Sequence, residues 1–572
     1  MKLTDVLTHL NTTFNADIPC QLLDPSHPWH GAYVSPVSRL AEPSHGTSSR
    51  FIFMGGLLVW AAQKHPDACP ELDQGNVLTR ITLTADYMLR AQHPSGLIDL
   101  RSTNYDSSPD TGFVMQLFCA LLDLTQGEAY FEALNEKLEQ FLRRATPGVR
   151  DGGFHTPNHR WVIASALAQV HALFPDLEVQ PALDLYLDEG FDIDADGAYI
   201  ERSVGIYDTV SNNALMLYVL NGTREDIRQN ALAAVRKNLE FNLHLLHADG
   251  TAETGLSNRQ DHGIRKVASN LICPYVFAYH LLKETRFLQA AAWLWSKMSI
   301  TETPESLHWL AYVLLKLGEP KATTSSVPDN FQCFFPANQV WRARRGKLSV
   351  SAYGGRTQLV NLCYGQAEIR GLTIAQTYFG TGRFVSDEVA TIDSGIVMTS
   401  TGQQKPRRPG YELPLGQPVT VDTWDDAAEQ RDYRPLPLPL SELRFGLADT
   451  SLELHYQTLD GFDGVAAQLA LDVPAGGVWE TRSSLLELQA GNIIIYKQGP
   501  ARLIYGQDVL EFSSGHAEHG FFNMRHSEAI PAGCARIIFS FLTPVNFRLN
   551  IRCYTGLTQS TAFKTLADMA HE

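Results

Sequence analysis

The residues whose types and spacing could do chemistry sit in polar stretches that run into apolar segments. The first is Gly153 to Trp161 (GFHTPNHRW). Thr156 followed by Pro157 predicts an N-cap and first helical position, which puts Asn158 and His159 in the opening turn of a helix. Free backbone N–H groups and the helix dipole favour an anion there. An Asn and a His presented together could hold a carboxylate and manage a proton. The plainer alternative is that Asn158 assists capping and His159 packs against a loop.

A second stretch, Asp196 to Asp208 (DGAYIERSVGIYD), places Tyr207 at the entrance of the next apolar run, SNNALMLYVLNG. Its phenol could give or take a proton, or lie under a loop with its hydroxyl bonded to backbone. The DIDADG just before it resembles the opening of a calcium loop. However, Ser203 stands where such a loop needs a bidentate Glu. In the third stretch, Ser257 to Lys266 (SNRQDHGIRK), Arg259, Arg265 and Lys266 are candidate carboxylate binders and His262 a candidate member of the catalytic set. The same residues could form a solvated loop holding an Asp261–Arg pair. The fourth, Asn104 to Thr111, is turn-rich. Asp110 or Thr111 could cap the helix that follows, and Asn104 and Tyr105 could touch sugar. Further on, Arg342, Arg344 and Arg345 adjoin Trp341, and Lys405, Arg407 and Arg408 precede Tyr411. These basic–aromatic clusters are either solvated faces or the lining of an anion-binding groove. No phosphate loop, HExxH zinc motif or GxSxG elbow is present.

The elements that must position these residues change character once along the chain. From about residue 49 to 318 apolar residues recur at helical spacing, as in SRFIFMGGLLVWAAQKH, TGFVMQLFCALLDLT, HRWVIASALAQVHALF and ESLHWLAYVLLKLG. The loops between them are long, and long loops within a compact domain are usually functional. After KATTSSVPDN the runs shorten and alternate apolar with polar residues, as in KLSVSAY, LELHYQTL, RIIFSFL and FRLNIRCY. Only TAFKTLADMA near the C-terminus looks helical again. The expected fold is α+β and multidomain. An (α/α) toroid or incomplete barrel covers residues 1–320, a linker 321–332 and an antiparallel β-sandwich 333–572.

The bulk properties narrow the partners. The 572 residues exceed one ordinary core. A formal net charge of −16, from 46 Lys plus Arg against 62 Asp plus Glu, argues against nucleic acid. It leaves room for a polyanionic sugar in a local basic cleft. No stretch reads as a signal peptide or a membrane span, so a cytoplasmic setting is expected, or a periplasmic one if a signal was removed. The eight scattered cysteines include no CxxC pair and suggest neither a disulfide framework nor a zinc knuckle. A homo-oligomer stays possible.

Asn158-His159 opening a helix, Asp196-Gly197 through Glu201 and Ser203, and Tyr207 after them resemble the heparinase II/III-like polysaccharide lyases. The resemblance implies a toroid followed by a sandwich and β-elimination at a uronic acid, with no cofactor expected. It implies that Asn158 binds the uronate carboxylate, that His159 and Tyr207 share base and acid roles, and that Tyr207 protonates the departing oxygen. Substrate contacts are expected at Asn104, Tyr105, Glu201, Arg259, Arg265, Tyr353 and Arg356. Members of that family usually bring a further histidine from the first strands of the sandwich. Here LSVSAYGGRTQLVNLCYG has none, leaving Tyr353, Arg356 or His262 as stand-ins. The family's structural zinc has no ligand cluster in this sequence. Two other readings remain open. A toroidal glycoside hydrolase would draw its carboxylates from Asp110, Asp196, Glu201, Asp208 and Asp261. A non-catalytic sugar-binding protein would have kept only the scaffold.

Overall fold

A helix that buries side chains all round must sit inside other helices, whereas one with a single apolar stripe lies at the surface. The computed structural model follows this rule; it describes residues 1–299, 302–377, 382–402, 410–436 and 439–556. The chain divides into two units. The first holds residues 1–246 and 250–327, the second residues 247–249 and 328–572.

The helices of the first unit are α1 (Leu3–Asp17), α2 (Ser48–Lys64), α3 (Gln74–Ala91), α4 (Ser108–Thr125), α5 (Glu132–Asp151) and α6 (Pro157–Leu173). They continue as α7 (Gln180–Asp188), α8 (Tyr207–Asn221), α9 (Glu225–Leu245), α10 (Ile272–Leu282), α11 (Thr285–Lys297) and α12 (Leu307–Leu317). The even-numbered helices pack each against the next and α12 packs against α2, which closes an inner ring. The odd-numbered helices lie outside it. The burial patterns explain the assignment. α4 buries residues on every face, from Ser108 and Pro109 through Leu122 to Thr125. α5 buries only a stripe: Leu134, Leu138, Phe141, Leu142, Ala145, Thr146 and Val149. Gly56 lets α2 come close to α4, since a Cβ there would lie 2.6 Å from a methyl of Leu121. No described helix is long and apolar enough to cross a membrane.

Three helices went unread in the sequence. α1 buries Leu3, Val6, Leu7, Leu10 and Phe14 at helical spacing among Thr and Asn. α7 and α11 are a short helix and an outer one with a small apolar stripe.

In the second unit the first strand begins at Asn330, inside the stretch expected as linker. Strands Asn330–Phe335, Val340–Arg345, Leu348–Tyr353, Val360–Tyr364 and Ala367–Ile369 form a five-stranded meander. A nine-stranded antiparallel sheet, a four-stranded sheet and a two-stranded pair, Gly410–Glu412 with Tyr433–Pro435, are the other sheets described in the unit. Strand Ile493–Ile495 pairs in parallel with Cys534–Leu542, so the unit is not antiparallel throughout. Period-two patterning is clear in Ser441–Ala448, where Leu443, Phe445 and Leu447 turn inward. One hydrophobic cluster draws on the three larger sheets, from Leu348 and Val350 through Leu443 and Phe445 to Ile537 and Phe539. Within the four-stranded sheet, Arg536 forms a buried two-pronged ion pair with Asp472, at 2.7 and 2.8 Å. A short helix, Trp424–Gln430, lies where only strands were expected. The cluster Lys405, Arg407, Arg408 and the segment TAFKTLADMA lie outside the described residues.

Candidate active site

The inner helices all begin at one end of the ring. His45, just before α2, stacks on Phe113 of α4 at 4.3 Å, and Phe113 meets His159 of α6 edge-on at 5.9 Å. Asn158 of α6 bonds Glu201 in the loop before α8. Asn270, before α10, donates to the Val204 carbonyl at 2.9 Å, and His308 of α12 meets Phe53 of α2. The positive ends of these helix dipoles therefore gather where the sequence placed its candidate residues.

Local structure sets each side chain. Thr156 is extended (φ −139°, ψ 151°) and Pro157 opens α6, as expected. The Thr156 hydroxyl does not cap the helix; it accepts from Asn158 Nδ2 at 3.2 Å. Asn158 is fully buried and donates from the same nitrogen to both Glu201 oxygens, at 2.9 and 2.8 Å. Its amide is thus spent on a carboxylate of its own chain, and its Oδ1 has no partner. Glu201 precedes Arg202, which has a left-handed φ of 50° in a tight turn on the Tyr199 carbonyl. Burial raises the Glu201 carboxyl above its usual range, against the lowering pull of Asn158 and Arg259.

Arg259 is the hub of the cluster. Its guanidinium lies 3.4 Å from Glu201 and 4.4 Å from the centre of the Tyr207 ring. Partial burial opposes its charge, but Tyr207, Glu201 and Asp261 hold its basicity above the ordinary value. Tyr207 opens α8, and its hydroxyl donates to Gln260 at 3.2 Å. His159 is half-buried against His155 at 4.6 Å, and its Nδ1 has no partner. Burial, then the charge of His155, pushes its pKa down to about 4, so its ring is neutral at neutral pH. Behind Tyr207, Asp208 is buried beside Asn238, and burial pushes its carboxyl up to about 7.

The structure thus gathers Asn158, Glu201, Tyr207 and Arg259, with His159 next in chain to Asn158. Other expected residues are placed differently. The exposed ring of His262 is turned onto its own loop, its Nδ1 3.0 Å from the Ser257 carbonyl. Its backbone N–H donates to the Arg259 carbonyl at 3.1 Å, but among the described residues no side-chain contact joins it to the cluster. Among the described residues Asp261 forms no ion pair with an Arg. It is buried and accepts from Ser203, Ser257 and the Gly205 N–H. Arg265 meets the Thr251 hydroxyl at 3.1 Å, and Lys266 pairs with Glu305. Asn104 donates to Asp110 at 2.8 Å, while Tyr105 stands 78% exposed beside His93. Ser107, not Asp110 or Thr111, caps α4, accepting from the Asp110 N–H. The DIDADG stretch is a turn: Asp194 accepts from the N–H groups of Asp196, Gly197 and Ala198. Asp192 accepts from the Trp161 indole and the Arg160 guanidinium.

Tyr353 and Arg356 belong to the second unit, where Tyr353 is buried beneath the Arg356 guanidinium. The Arg342–Arg345 run is no solvated face. Arg342 is fully buried and donates to the hydroxyls of Ser351 and Ser349, and Trp341 and Arg344 are buried too. Gln260 and His45 went unread: one is a neutral loop residue and the other stands alone ahead of its helix.

No protein-family model and no curated protein matches the chain. Among solved structures, a chondroitin AC lyase of Streptomyces coelicolor A3 in complex with chondroitin sulphate is similar, with TM-score 0.51 and 12% identity over 100% of this chain and 80% of that one. A chondroitinase AC lyase whose structure was solved with oligosaccharides gives TM-score 0.49 and 10% identity, over 99% and 84% of the two chains. At such identity the first likeness shows the fold: a helical toroid followed by β-sheets.

Proposed function

We propose that the chain is a polysaccharide or oligosaccharide lyase that breaks an acidic glycan at a uronic acid by β-elimination, with the sheets of its second unit layered as a sandwich. The observation that carries the reading is the set at the head of the ring: a tyrosine hydroxyl opening an inner helix, with an arginine against its ring.

Elimination removes the C5 proton, breaks the bond from C4 to the glycosidic oxygen, and leaves a 4,5 double bond in the uronate. The C5–H is weakly acidic until its carboxylate is neutralised. Arg259 suits that task better than Asn158, because it is a quarter exposed while the Asn158 donor is committed to Glu201. Charge developing on the carboxylate would meet the guanidinium and the converging helix N-termini. His159, neutral at neutral pH, can take a proton but not supply one, so Tyr207 is assigned to protonate the departing oxygen. Asn104 and Tyr105 are assigned to hold the sugar chain.

A hydrolase needs two carboxyl groups open to the scissile bond. Of the five candidates Asp110, Glu201, Asp208 and Asp261 are buried and Asp196 alone is partly open, so no accessible pair is formed among them, which disfavours that reading. The test is the ultraviolet absorbance of the unsaturated uronate across a panel of uronate glycans. A rise is expected with wild type, and Tyr207→Phe should lose about 100-fold or more of the rate. New reducing ends without absorbance would refute elimination.

A further inference from the structure

Two loops carry the proposed site: residues 201–207, which lead into α8, and residues 257–262. Both converge on one buried carboxylate that touches neither the Tyr207 nor the Arg259 side chain. Asp261 is 1% exposed. It accepts from the Ser203 hydroxyl at 2.9 Å, the Gly205 N–H at 2.9 Å and the Ser257 hydroxyl. Each serine oxygen then receives a backbone N–H from a site residue. Ser203 accepts from Tyr207 at 3.2 Å, and Ser257 accepts from Arg259 at 3.0 Å. The carboxylate thus fixes the direction of two hydroxyls, which leaves each with its lone pairs facing the backbone of a working residue.

We infer that Asp261 is the positioning residue of the site, acting through Ser203 to seat Tyr207 and through Ser257 to seat Arg259. Three features support this. The arms are symmetrical: one carboxylate, two serines, two backbone amides. Gly205 is shaped for the contact, since a Cβ there would lie 2.7 Å from Asp261 Oδ2. Finally, a buried carboxylate answered only by hydroxyls and one N–H has given up solvation. That cost is compensated where it fixes geometry needed elsewhere.

The inference rests on the lyase reading for its catalytic readout, and its geometry can be checked without that reading. Both serine hydroxyls donate to Oδ1 and the Gly205 N–H to Oδ2, so an Asn at 261 either sets its NH2 against the Gly205 N–H or, flipped, turns both hydroxyls away; the cradle is disturbed in either orientation. Asp261→Asn should lower kcat/KM by about 100-fold, the scale of a displacement near 1 Å. The single-arm variants should split. Ser203→Ala should lower kcat by about 10-fold with KM little changed, and Ser257→Ala should raise KM by about 10-fold with kcat little changed. In a Tyr207→Phe background, Ser203→Ala should add less than about 3-fold. Equal effects of the two serine variants on the same parameter, or full multiplication with Tyr207→Phe, would overturn the inference and leave Asp261 a stabilising group only. If wild type forms no unsaturated product, the lyase reading fails by itself. Asp261 is then judged by a crystal structure of Asp261→Asn, or of Gly205→Ala should the first not fold. Departure of Arg259 from the Tyr207 ring supports it, and retention of the 4.4 Å contact overturns it.

Discussion

Replacing Arg259 by alanine should make stability fall more steeply with rising pH than it does in the wild type. Glu201 sits 6% exposed with Arg259 as its cation, 3.4 Å away and 25% exposed. Breaking a fully buried pair costs about 3–5 kcal/mol, and breaking an exposed one less than about 1. With one partner buried and the other a quarter open to water, about 1–2 kcal/mol is expected between these limits. That loss applies only while Glu201 is ionised. Burial has already raised its folded pKa above the unfolded 4.5. The wild type therefore loses stability from this group as pH climbs from 4.5 through the folded value. Removing Arg259 takes away a lowering influence, so the folded pKa rises further and the fall deepens. A second, pH-independent loss of about 0.5–1 kcal/mol comes from the Tyr207 ring contact. Urea unfolding of both proteins, followed by helical circular dichroism from pH 4.5 to 8, should show a gap that is small at the acid end and widens with pH. A gap constant across that range would mean that Glu201 and Arg259 are not electrostatically joined, and the hub would have to be redrawn.

Two further outcomes follow from the buried titrating groups. His159, with its pKa near 4, should leave the acid limb of the pH–rate profile below pH 5, and a limb centred near the ordinary histidine value of 6.5 would deny it the role of base. Glu480, on strand Val478–Thr481, is 2% exposed with neither oxygen bonded, and burial pushes its pKa up to about 7. A raised folded pKa costs stability as pH rises from 4.5 to 7, so Glu480→Gln should be more stable than wild type at pH 8 and equal to it near pH 4.5; a destabilised variant at pH 8 would show that the carboxylate has a partner.

What the sequence made legible follows the strength of its periodicities. The inner helices are apolar enough to announce themselves, and the entrance positions of Asn158 and Tyr207 came directly from the Thr–Pro pair and the onset of an apolar run. α1 carried a correct helical spacing, but its Thr and Asn residues dilute it below what the eye collects. The Arg342–Arg345 run misled because charge normally marks a surface. Only the folded partners Ser349 and Ser351 show that Arg342 is interior. The role of Asp261 was beyond reach, since it depends on hydrogen bonds between loops separated by α8 and α9. Linear spacing carries no trace of which loops meet.

The charge around Arg259 sharpens what a uronate would encounter. Glu201 and Asp261 both lie buried within electrostatic range of Asp208 and of the Arg259 guanidinium. An incoming carboxylate would be repelled if all three were ionised. The structure offsets that in two ways. Burial raises the carboxyls of Glu201 and Asp208, which favours their neutral forms as another anion approaches. The inner helices also all point their positive ends at the same place. On the proposed reading, a chain carrying −16 overall would in this way admit an acidic glycan at one end of a ring without a broad basic surface. Arg259 supplies a full charge, and the backbone adds its partial ones.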